Sequence, residues 1–144
     1  MQADVATQLY LVDTSVWIFA LRRNSPEAIR RRLGDLLDLD AVATCGLIEL
    51  ELLGGTRDEA EFNRLGMRLS GLRRLQIESG DWPAAARLAF DLRRAGITVP
   101  FTDALLATIA RHNGTVLLHA DRDFDLMASH VDLVIESLVD LVEE

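Results

Sequence analysis

At 144 residues, with 49% hydrophobic and 26% charged side chains, the chain is long enough to bury a core as one domain spanning 1–144, and too apolar to be disordered. Its 15 basic residues are all arginine and face 23 acidic ones; the net charge of −8 argues against loose, charge-driven binding of nucleic acid, and the lack of lysine excludes an amine nucleophile or base. No apolar run approaches the ~18 residues of a membrane span, MQADVATQ has no signal-peptide pattern, and Cys45 as the only cysteine leaves no internal disulfide or cysteine zinc site, so a reducing cytoplasm is expected.

In chain order, residues 8–12 predict a short buried strand that stops at Asp13, followed by an apolar helix through VWIFAL. Ser25-Pro26-Glu27 predicts a helix start, with a capping hydroxyl, a proline in the first turn and an acid near the positive helix end; this helix runs to about Leu37. AVATC (41–45) is a second strand. GLIELELL then predicts a helix closed by a left-handed turn at Gly54-Gly55. Residues 58–71 form an amphipathic helix, 74–78 a candidate strand, and Asp81–Ala95 a long helix ended by Gly96. Thr102 is placed to cap DALLATIARHN, which Gly114 ends. TVLLH (115–119), the short helix DFDLMASH and the strand VDLVI (131–135) complete the pattern. Alternating strands and helices predict β-α-β units: a parallel sheet with helices on both faces and ligands beyond the carboxyl ends of the strands.

Asp13 and Asp121 both fall at such strand ends, and Asp103 joins them if it lies in the first turn of its helix. Glu49 or Glu51 can reach the same place from the helix after the second strand. Their neighbours three and four positions away are nearly equally apolar, so periodicity leaves the choice open. Several carboxylates gathered this closely are unfavourable unless protonated or neutralised by a cation. An all-oxygen donor set points to Mg²⁺, with Mn²⁺ as a substitute, and such ions serve phosphodiester cleavage.

Four pieces carry a family resemblance: VDTSVW (12–17), ELLGG (51–55), TDALLATIA (102–110) and HADRDFD (119–125). In this order and spacing the chain resembles PIN domains, and among them the VapC ribonuclease toxins of bacterial toxin–antitoxin pairs. The resemblance implies a three-layer α/β/α sandwich around a central parallel sheet of four to five strands. It assigns Asp13, Glu51, Asp103 and Asp121 to an acidic metal-binding tetrad, the glutamate by its spacing to Gly55. It adds Asp123 as a further metal-binding acid and Ser15 as the hydroxyl that supports Asp13. It also implies Mg²⁺-dependent endoribonuclease activity on tRNA or structured rRNA, a homodimer and a VapB-type antitoxin that obstructs the site; the acidic composition and the lack of a DNA-binding motif predict no direct DNA binding by this chain alone.

Plainer readings apply to other residues. Asp125 is expected to cap or face solvent, and His119 to pack or hydrogen-bond, since hard cations prefer oxygen. His112 and His130 have nothing to recommend them, and the paired arginines (22–23, 30–32, 73–74, 93–94) predict solvated helix faces. Trp17 and Phe19 are expected in the core; the resemblance implies that this region borders the groove an antitoxin uses, so partial exposure of either would be informative. Receiver domains and haloacid-dehalogenase-like phosphatases also set acids at strand ends, but those families need a lysine. The remaining alternative is a catalytically silent PIN fold kept for protein binding; retention of every acid argues against it.

Overall fold

The computed structural model describes residues 8–142; residues 1–7, part of the segment expected to lack a signal peptide, lie outside them, as do 143–144. The chain runs β1 (Tyr10–Val12), α1 (Thr14–Leu21), α2 (Glu27–Asp38), β2 (Val42–Cys45), α3 (Gly46–Gly54), α4 (Glu59–Ser70) and β3 (Arg73–Leu75). It continues through α5 (Asp81–Arg94), α6 (Phe101–Asn113), β4 (Val116–His119), α7 (Arg122–Ala128), β5 (Ile135–Ser137) and α8 (Val139–Val142). The strands form a parallel sheet in the order β3-β2-β1-β4-β5, and eight helices among the described residues flank it. This is the α/β/α architecture that the sequence predicts.

The central strands are largely apolar because helices cover both their faces. Leu11, Val12, Val42, Ala43, Leu117 and Leu118 are at most 1% exposed, and each large side chain so placed contributes roughly 1.5–3 kcal/mol of burial. The edge strand β3 instead carries Arg73 and Arg74, whose charges discourage pairing with a second sheet. α5 packs along α6, while α1 contacts α2 and α3.

From β1 the chain moves outward to β2 and β3, then returns to the other side of β1 for β4 and β5. The crevice beyond the carboxyl ends of β1 and β4 is therefore a topological switch point, the usual ligand site of such sheets. Val12 pairs with Leu118, and the Asp13 N–H donates to the Leu118 carbonyl at 2.9 Å, which carries the ladder one residue past β1.

Several local expectations are corrected. Ser25 does not cap α2: its hydroxyl donates back to the carbonyls of Phe19 and Arg22, closing the α1–α2 turn, and Pro26 occupies the cap position. Gly55 ends α3 at φ −91°, with no left-handed turn. Thr102 does not cap α6; the Pro100 carbonyl accepts from Asp103 and Ala104, so the helix starts at Phe101. The last strand lies at Ile135–Ser137, later than 131–135, because Leu133 is buried in the segment leading to it. β3 begins at Arg73 and is shorter than expected. Gly96 and Gly114 do take positive φ, at 86° and 64°.

Candidate metal centre

Asp13 leaves β1 and becomes the N-cap of α1. Its Oδ2 accepts from the Ser15 N–H at 3.1 Å and from the Ser15 hydroxyl at 2.6 Å. The same hydroxyl accepts from the Ala120 N–H at 3.0 Å, stapling the turn after β1 to the turn after β4. Burial pushes the pKa of Asp13 up, the Ser15 hydrogen bonds oppose this, and the charges of Glu51 and Asp121 add to it.

The two glutamates of α3 point apart, as positions two residues apart on a helix must. Glu49 turns to the sheet edge, where Arg74 Nε lies 2.9 Å from its Oε2 in an off-line ion pair. Glu51 turns to the switch point, and its Oε1 accepts from the Thr14 hydroxyl at 3.1 Å. Thr14 was not singled out in the sequence; its place between Asp13 and Ser15 is the signal that could have found it.

Asp103 stands in the first turn of α6. Asp121 is the N-cap of α7 and accepts from the Asp123 N–H at 3.0 Å. Asp103, Asp121 and Asp123 each place a carboxylate oxygen within 4.8 Å of the other two; Asp13 and Glu51 stand outside this tight trio but within its field. Burial first, then the charges of Asp13, Asp121, Asp123 and Glu51, push the pKa of Asp103 up to about 7. Burial and Asp121 likewise raise that of Asp123.

Asp103 Oδ2 is buried and accepts no hydrogen bond. A buried carboxylate oxygen without a donor is costly, and like charges around it make ionisation costlier still. A hard divalent cation resolves both problems, since oxygen donors at this spacing are what it takes. The residues present fit such an ion.

Around this centre His119 packs and hydrogen-bonds as expected, whereas Asp125 and His112 depart from expectation. His119 is fully buried beneath the acids, and burial lowers its pKa. Asp125, expected to cap or face solvent, lies 3.2 Å from His119 Nε2 and accepts from the Ser137 hydroxyl at 3.1 Å. His112, expected to be idle, meets the buried Asp81 at 2.9 Å and ties α6 to α5. Trp17 is core at 3% exposure, whereas Phe19 is half-buried and faces a groove of about 1310 Å³. Ile18, Leu21, Arg22 and Arg23 share that groove, and Glu51 opens into it, so it connects with the carboxylates. Most of the paired arginines hold local partners: Arg31 meets Glu27, Arg32 meets Glu136 and Arg73 meets Asp40.

The PIN domain family matches residues 10–129. VapC ribonuclease Mb1587 of Mycobacterium bovis is 33% identical over 130 residues, covering 87% of this chain and 96% of that protein. Ribonuclease VapC51 of Mycobacterium tuberculosis is 34% identical over 123 residues, covering 83% and 85%. Among solved structures, VapBC2 of Rickettsia felis bound to a promoter DNA fragment matches with a TM-score of 0.74 over 90% of this chain and 98% of that one; at 19% identity the likeness is one of fold.

Proposed function

Because the chain belongs to the PIN domain family, and within it to the VapC ribonucleases, we propose that it is a metal-dependent endoribonuclease, the toxin of a toxin–antitoxin pair, hydrolysing phosphodiester bonds in tRNA or structured rRNA. The observation that carries this reading is the buried, donorless Asp103 Oδ2 among acids delivered by β1, α3, α6 and the β4–α7 turn. Asp103, Asp121 and Asp123 would hold the ion, with Asp13 and Glu51 as the further acids that would contribute to it. Ser15 fixes the rotamer of Asp13 and Thr14 that of Glu51. When bound, Mg²⁺ or Mn²⁺ supplies a more acidic attacking water and charge relief at the leaving oxygen.

The surface supports the partners that the family likeness suggests. An antitoxin segment of VapB type lies in the groove beside Phe19, where an arginine or lysine reaches the carboxylates past Glu51. A second copy of the chain covers the apolar α5–α6 face. The lone buried Cys45, whose thiol pKa burial raises, suits a reducing cytoplasm.

The test compares the two glutamates. Purified protein cleaves total RNA with Mg²⁺ or Mn²⁺ and stops in EDTA. Glu51→Gln loses at least the ~10–100-fold that disturbing a metal's outer partners costs, while Glu49→Gln, which alters only the pair with Arg74, keeps its activity. Cleavage undiminished in EDTA sinks the mechanism, and swapped outcomes for the glutamates remove Glu51 from the site.

A further inference from the structure

His119 ends β4 with its ring fully buried, directly under the turn that presents Asp121. Its Nδ1 lies 3.1 Å from the Asp121 N–H, and a backbone N–H can only donate, so Nδ1 is the acceptor. The ring proton therefore sits on Nε2, which faces Asp125 Oδ1 at 3.2 Å in a bent contact. Asp125 is fixed in turn by the Ser137 hydroxyl at the end of β5. The ring also packs against Phe124 of α7, with centroids 5.2 Å apart. One neutral imidazole thus ties the carboxyl ends of β4 and β5 to the first turns of α7.

This arrangement also separates the three aspartates of that segment. Asp123 and Asp125 are two positions apart on α7, so they leave the helix about 200° from each other. Asp123 turns to the carboxylate trio and Asp125 to the histidine. The Asp121 carboxylate accepts the Asp123 N–H, while its own N–H is spoken for by His119. The backbone N–H groups of Asp121 and Asp123 are thus both engaged where the acids repel one another.

We infer that His119 is a positioning residue: its Nδ1, by accepting the Asp121 N–H, holds the Asp121 and Asp123 carboxylates at the spacing a divalent ion requires. This rests on the metal reading of the site. Partners of this kind around metal ligands change affinity by ~10–100-fold when removed.

The experiment measures Mn²⁺ binding by electron paramagnetic resonance of the free ion, with no RNA present, on protein whose fold is checked by circular dichroism. His119→Asn places an amide oxygen where Nδ1 was and can still accept from Asp121. His119→Gln places its amide near the Nε2 position and cannot. His119→Leu offers no acceptor. Expected is wild-type affinity within about threefold for His119→Asn, and a loss of ~10–100-fold for His119→Gln and His119→Leu. If His119→Leu fails to fold, the asparagine–glutamine comparison decides. Equal affinities across the folded variants, or equal losses for asparagine and glutamine, overturn the positioning role. Wild-type protein that binds no Mn²⁺ overturns the metal reading on which it stands.

Discussion

Asp103 turns the crowding of the carboxylates into a measurable dependence of stability on pH. Its folded pKa of about 7 stands above the ordinary value of 3.8. Between those values the folded chain holds a proton that the unfolded chain has released, so stability is greatest below the window and falls as pH rises through it. EDTA-treated protein should therefore melt at a lower temperature at pH 8 than at pH 5.5, as read by scanning calorimetry. Asp103→Asn should flatten that slope and raise the melting temperature at pH 8, and Mn²⁺ should restore wild-type protein there by replacing the proton. A variant that keeps the full wild-type slope would place the strain elsewhere. At this scale the sequence was informative about the places of Asp13 and Asp121, because strand ends of a parallel sheet line one edge, and of Asp103, because it falls in the first turn of its helix. It was silent on the partners of Asp125 and His112. Those depend on how α7 rotates over β4 and how α5 lies along α6, which no local spacing encodes.

At the scale of elements, two glycines in helical segments have opposite effects. Gly34 lies inside α2, with nothing within 4 Å of where a Cβ would stand. Gly34→Ala should stabilise the protein by ~0.5–1 kcal/mol, since alanine loses less backbone freedom in a helix. Gly114 closes α6 in the left-handed region at φ 64°. Gly114→Ala has equal space but the wrong backbone, and should cost about 1–2 kcal/mol. Urea unfolding of both variants checks the pair; the same sign for both would refute the assignment. The closing glycine of α6 was legible because histidine and asparagine precede it and a strand follows at once. The end of α3 was not. Two consecutive glycines suggest a left-handed turn, yet φ −91° at Gly55 suffices when Thr56 answers the last turn by donating its hydroxyl to the Leu53 carbonyl. The final strand was misplaced for a related reason. VDLVI supplies apolar residues to both the connection and the strand, and its alternation does not mark where pairing begins.

Across the whole molecule, the α5–α6 face stands out in a chain of net charge −8. Trp82, Phe90 and Phe101 are 59%, 48% and 77% exposed around a hollow of about 500 Å³. Apolar surface gathered this way usually meets a partner, and a second copy is the occupant proposed. Phe90→Glu, which is outside the carboxylate site, should convert dimer to monomer in sedimentation without changing the helical signal. A wild-type protein that sediments as a monomer would sink the dimer. The sheet order has a consequence of another kind, in time. Ser15 accepts from an amide 105 residues further along the chain, and β1 has no β4 beside it until that partner has been made. At ~5–20 residues per second on the ribosome, Asp13 waits roughly 5–20 s for the segment that carries Asp121. Closing so long a loop is also among the slower contacts a folding chain makes. The proposed nuclease is thus inert until the segment that carries Asp121 has been synthesised and has docked beside β1.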